Sequence, residues 1–175
     1  MSMLTTFVMA MLVTFSMIGE SEEMVVGETT DFHTSLIAVS GHDFYGLQIG
    51  VRRDRPCQVR AFFRGASPRT AQFCTRRMTR RQLEGAGSAT LRAGERVNGI
   101  AACFTDAERV GAVRLYTFAD EAVTAEAGDC VTEYRTVWCQ RGWTVQGVQL
   151  YFDRAATGPG QASLVGLRPL CVNSA

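Results

Sequence analysis

The sequence predicts an all-β domain of three sheets closing around one core, organised by a threefold internal repeat. Three observations lead there. An apolar-Arg-apolar triplet recurs as Val59-Arg60-Ala61, Val113-Arg114-Leu115 and Leu167-Arg168-Pro169, spaced by 54 residues each time. A glycine-led alternating pattern precedes each triplet, starting at Gly46, Gly99 and Gly147. No stretch beyond residue 25 sustains a long apolar period of 3.6, so helices are not expected to build the core.

The elements follow in chain order. From Leu4 to Ile18 the chain carries no charge and then turns acidic at Glu20, Glu22 and Glu23. That run is too short to span a bilayer comfortably and reads as the apolar part of a signal peptide. The small residues Gly19 and Ser21 place the expected cleavage after Ser21, giving a leader over 1–21 and a single domain over 22–175. Within the domain, Leu47, Ile49 and Val51 share one strand face, as do Ile100, Ala102 and Phe104, and Val148, Leu150 and Phe152. This period of two marks half-buried strands. Each pairs with the strand that carries its triplet, through turns at 53–56, 105–108 and 156–160. The leading glycines fit bulges or close backbone approaches, where sheets bend. Further β-rich runs at 35–39, 88–91 and 131–138 precede the pairs, giving repeats of roughly 30–64, 88–118 and 131–171. Residues 79–84 are the one place where a helical turn is expected.

Composition narrows the chemistry. A 175-residue chain that is 46% hydrophobic and 20% charged can bury a sizeable core and is neither collagen-like nor disordered. All 18 of its Lys-plus-Arg residues are arginine, which removes Schiff-base and P-loop mechanisms that need a lysine. Six cysteines, Cys57, Cys74, Cys103, Cys130, Cys139 and Cys171, all follow the leader, as expected for disulfides in an exported protein. Sequence alone leaves 15 connectivities open. With no C-x-x-C and only His33 and His42, no metal site is expected, and no cofactor motif is present.

The stretch from Val137-Trp138-Cys139-Gln140-Arg141-Gly142-Trp143 through Leu150, followed by Ala162-Ser163-Leu164-Val165-Gly166-Leu167-Arg168-Pro169-Leu170-Cys171, resembles the vitelline membrane outer layer protein I family. That family repeats such a unit three times around a β-prism, an architecture shared with jacalin-type lectins. Residues 44–63 and 99–118 match the unit in outline. The family's Gly-Asp-Asp/Asn-Thr loop is replaced here by Gly158-Pro159-Gly160-Gln161-Ala162. The resemblance implies a disulfide-stabilised β-prism, a secreted structural or binding role in an extracellular coat or matrix layer, and a bridge between Cys139 and Cys171.

Two charge anomalies suggest partners. Between Arg52 and Arg81 stand ten arginines and one acid, Asp54. Guanidinium forks bind sulfate, phosphate and carboxylate, so Arg52, Arg53, Arg55, Arg76, Arg77, Arg80 and Arg81 form a candidate polyanion site for extracellular glycans or acidic matrix components rather than nucleic acid. Between Asp106 and Glu133, seven acids face two arginines, and the opposed patches allow head-to-tail self-association. Trp143, Tyr151, Arg141 and Asp153 are the candidate sugar ligands, combining aromatic faces with polar groups, while Trp138 is expected in the core. A lectin is the alternative function, and an enzyme acting on chito-oligosaccharides the third. Adjacent carboxylates such as Asp120-Glu121 do not make a catalytic pair, no nucleophile motif occurs, and an enzyme is not expected. After leader cleavage no membrane contact is expected.

Overall fold

The computed structural model describes residues 24–74, 87–153 and 162–173. Their twelve strands are β1 (Val26–Gly27), β2 (His33–Ile37), β3 (Phe44–Arg52), β4 (Arg55–Phe63), β5 (Ala66–Gln72), β6 (Ser88–Thr90), β7 (Val97–Phe104), β8 (Val110–Thr117), β9 (Ala122–Glu126), β10 (Arg135–Trp138), β11 (Trp143–Phe152) and β12 (Leu164–Asn173). They form three antiparallel sheets of four strands, and the described residues contain no helix. Sheet I has the order β5-β4-β3-β6, sheet II β10-β7-β8-β9 and sheet III β1-β12-β11-β2. The expected leader over 1–21, the helical turn over 79–84 and the glycine-rich turn at 158–160 lie outside the described residues.

Each glycine-led strand pairs with its triplet strand, as the alternation predicts. Leu47 faces Ala61, Ile100 faces Leu115 and Leu150 faces Leu167, all buried in one continuous core. The triplet arginines Arg60, Arg114 and Arg168 sit on the opposite face, half-buried. They occupy matching places in the three sheets, opposite Gln48, Ala101 and Gln149.

The glycines perform the same task three times. A register shift falls between Phe44 and Gly46, between Val97 and Gly99, and between Val145 and Gly147. These irregularities bend the strands and increase their twist. A Cβ at Gly46 would lie 2.6 Å from the Ala89 carbonyl oxygen, and one at Gly147 2.3 Å from that of Leu36. At Gly99 the ring of Trp138 fills the space instead. Trp138 thus covers a bare glycine from the neighbouring strand, lies 5.0 Å from the Tyr116 ring and stays 40% exposed. It belongs to the outer face and not to the core expected from sequence, because the residue opposite it has no side chain to compete for that space.

The runs at 35–39, 88–91 and 131–138 contain strands, but their partners differ from the expected repeat boundaries. Strand β6 returns to pair with β3, β10 with β7, and β2 with β11. Each run therefore completes the sheet of the preceding strand pair, with β2 joining the last pair by closing the ring. Alternation identifies a strand's buried face, whereas its partner depends on where the connecting chain can return.

Three seams join the sheets. The Gly87 N–H donates to the Glu126 carbonyl at 2.8 Å, linking the starts and ends of β6 and β9. Next to β2 and β5, the Phe73 ring stands 4.6 Å from Phe32 and 4.5 Å from Phe152. Along the third seam, Gly27 of β1 packs against Phe104 of β7. Disulfides join Cys57 to Cys74, Cys103 to Cys130 and Cys139 to Cys171. The last ties the segment after β10 to β12, and so sheet II to sheet III.

Candidate functional site

The residues proposed from sequence as sugar ligands divide between the two ends of β11. Arg141 is exposed in the turn that enters the strand, and Trp143 opens it, partly buried against its neighbours. Tyr151 and Asp153 stand at the far end, about 30 Å away at the ordinary rise of an extended strand. Tyr151 is only 5% exposed, with its ring 5.8 Å from His33, and Asp153 accepts the Ser163 N–H at 2.6 Å. The four therefore do not converge on one ligand. Proximity in sequence is misleading here because a ten-residue strand carries its ends far apart.

Of the polyanion candidates, Arg52, Arg53 and Arg55 cluster at the β3–β4 hairpin, where Arg53 and Asp54 both adopt positive φ, at 51° and 58°. Paired positive φ values form the primed turn that matches strand twist. Arg76, Arg77, Arg80 and Arg81 lie outside the described residues. All seven acids between Asp106 and Glu133 are exposed, on sheet II or its connections.

A cavity of ≈ 220 Å³ opens at the seam between sheets II and III, lined by Gly27, Glu28, Phe104, Thr105, Glu108, Thr132, Arg135 and Val165. Its apolar side is built from Phe104, which is 8% exposed, against Gly27 and Val165. Gly27 is required there by both conformation and space. Its φ is +94°, and a Cβ would sit 2.3 Å from the Val165 carbonyl oxygen and 2.8 Å from the Phe104 ring.

Backbone hydrogen bonds hold the polar rim. The Phe104 N–H donates to Thr132 Oγ1 at 2.9 Å, and the Phe104 carbonyl accepts the Val131 N–H at 2.9 Å. These bonds pin the loop before β10 beside the cavity. The Glu108 N–H donates to the Thr105 carbonyl at 3.1 Å, closing a turn in which Glu108 holds φ at 56°. That conformation is uncommon for a residue with a Cβ. Across the seam, the Glu28 N–H donates to the Val165 carbonyl at 3.1 Å, and Arg135 opens β10 opposite Ala102. The result is an apolar wall facing two carboxylates, one guanidinium and two hydroxyls, a combination suited to a small polyhydroxylated ligand.

Neither histidine lines this cavity. His33 stacks near Tyr151, and His42 Nδ1 lies 2.8 Å from the Arg64 carbonyl. Among the described residues, no three His, Cys, Asp or Glu side chains gather in a way that would hold a metal ion. The seam cavity escaped the sequence reading because four separated segments build it. Its one local signal is the acidic turn at 105–108, which in sequence is indistinguishable from the rest of the acidic stretch.

No protein-family model and no curated protein matches the chain, so the resemblance to the vitelline membrane outer layer family gains no support from either comparison. Solved structures do match. A prostate-specific WGA16 glycoprotein lectin superposes with a TM-score of 0.57 at 11% identity, covering 85% of this chain and 98% of that one. The Calsepa lectin, solved in complex with a biantennary N-glycan, gives a TM-score of 0.56 at 13% identity, covering 84% and 92%. A lamprey immune protein gives 0.58 at 16% identity, covering 85% of this chain but 43% of its own. At such identities the likeness concerns architecture: three four-stranded sheets, closed by three seams around one core, make this chain a disulfide-stabilised β-prism like those of the lectins it resembles.

Proposed function

We propose that the protein is a secreted carbohydrate-binding protein that takes a sugar residue in the cavity between sheets II and III. The cavity carries the reading. Its Phe104 wall offers an apolar surface to sugar C–H groups, while Glu28, Glu108, Thr105, Thr132 and Arg135 surround it with hydroxyl-binding chemistry. Three disulfides accord with an oxidising, extracellular setting, and lectins among the structural neighbours accord with sugar binding.

The test is a glycan array followed by titration of the best neutral oligosaccharide. Glu28→Gln keeps side-chain shape while removing charge, Arg135→Gln removes the guanidinium, and each is expected to weaken binding about tenfold, equivalent to about 1.4 kcal/mol. Wild-type affinity in both variants would refute the assignment of this cavity.

A role in building an extracellular layer is the second reading. It draws on the exposed acids of sheet II and the arginine hairpin of sheet I, which offer opposite charges on different faces of one molecule. Head-to-tail contacts of that kind form open assemblies unless their rotation closes. Sedimentation should then show larger species at low ionic strength that dissociate at high salt, because exposed charges are screened beyond about 8 Å at physiological ionic strength. A monomer at both extremes would exclude this route to assembly.

A further inference from the structure

Sheet I differs from the other two in the charge it turns outward. Its four strands contain Arg52, Arg55, Arg60 and Arg69 and no Asp or Glu. Alternation along β3 places Arg52 on the face of Gln48, away from buried Leu47 and Ile49. Arg55 pairs directly with Arg52, and Arg60 with Gln48, so all three arginines share the outer face. Among the described residues, no carboxylate lies within ion-pair distance of any of them. The Arg55 Nη1 is shielded from water and has no hydrogen-bond partner, leaving a cationic donor unmatched within the fold.

Comparison across the repeat sharpens the point. Arg114, the counterpart of Arg60 in sheet II, is occupied by the Tyr134 ring 3.7 Å from its guanidinium carbon. Arg60 stands 5.5 Å from the Phe62 ring on its own strand, with Gln48 and Thr70 opposite it on the neighbouring strands. The Arg52–Arg55 pair and Arg60 are separated by about 15 Å along β4. One small anion cannot span that distance, but an extended polymer with anionic groups along its length can.

We propose that the outer face of sheet I binds sulfated polysaccharide chains lying along β4, with Arg52, Arg55 and Arg60 pairing to successive sulfates. Guanidinium forks match sulfate oxygens in bidentate fashion. Single-stranded nucleic acid would seek exposed stacking rings, whereas Phe62, the aromatic residue on this stretch, is half-buried beside Tyr45. This face is separate from the seam cavity, so either proposal can fail without the other.

The experiment measures binding of heparin, unsulfated dextran and a 20-nucleotide oligothymidine across a salt series. Wild type should bind heparin, ignore dextran and bind the oligonucleotide more weakly. The triple variant Arg52→Gln/Arg55→Gln/Arg60→Gln should bind heparin at least tenfold more weakly. Its log–log salt slope should also fall by about 2, as expected when roughly three ionic contacts are lost. Arg168→Gln, the equivalent change on sheet III, should retain wild-type affinity. Neutral-sugar binding and the thermal midpoint of the triple variant should be unchanged, separating lost contacts from lost fold. Heparin affinity within twofold of wild type in the folded triple variant would overturn the proposal, as would tighter binding of the oligonucleotide than of heparin.

Discussion

Phe152→Ala is expected to destabilise the protein by about 3–5 kcal/mol, the range for removing a fully buried aromatic side chain. Phe152 is 0% exposed and stands where sheets I and III meet, with ring centroids 4.5 Å from Phe73 and 6.3 Å from Phe32. Its backbone is fixed from both sides. The N–H donates to the Phe32 carbonyl at 2.9 Å, and its carbonyl accepts Thr30 Oγ1 at 2.8 Å. These bonds restrict collapse into the vacated space, so the cost should lie towards the upper end. Thermal unfolding with intact disulfides should show a midpoint lowered by about 10 °C or more. Phe118→Ala, at a side chain 56% exposed, should change stability by less than about 0.5 kcal/mol. A loss below about 1 kcal/mol for Phe152→Ala would mean that the seam is looser than these contacts imply.

Gly147→Ala is expected to cost about 3 kcal/mol, the upper part of the range for overpacking. The added methyl would lie 2.3 Å from the Leu36 carbonyl oxygen and 2.7 Å from the Ile37 Cα. Both obstacles are backbone, so relief requires β2 to move away from β11. Gly99→Ala provides the contrast, because its added methyl meets the ring of partly exposed Trp138. That ring can swing outward, and the cost should be smaller, with a shift in tryptophan fluorescence marking the displacement. Chemical denaturation of the two variants distinguishes the cases. Equal losses would show that the cross-strand neighbour does not govern the effect.

The structure explains why the strands were legible and the ligand site was not. Leu47, Ile49, Ile100, Val148 and Leu150 alternate with outward residues, and alternation is set by the pleat itself. The 54-residue spacing of Arg60, Arg114 and Arg168 survives as matching positions in three sheets. Gly46, Gly99 and Gly147 could be read as bends because glycine permits both close approach and irregular register. Sheet membership was harder, since β2, β6 and β10 look like preludes to the strands that follow them. Trp138 is expected inward from sequence, but the bare backbone of Gly99 provides a shelf outside. Gly27, Phe104, Glu108 and Arg135 have no common pattern along the chain. They meet only because β1 closes against sheet II.

Sheet III also imposes an order of assembly. Its central strands, β11 and β12, come from the end of the described chain, while its edges, β1 and β2, come from the beginning. During synthesis on the ribosome, the early strands must wait, unpaired, for residues made more than a hundred positions later. A nascent chain stopped before β12 would leave β1 without its partner and one side of β11 bare, a ragged intermediate that invites capture by chaperones.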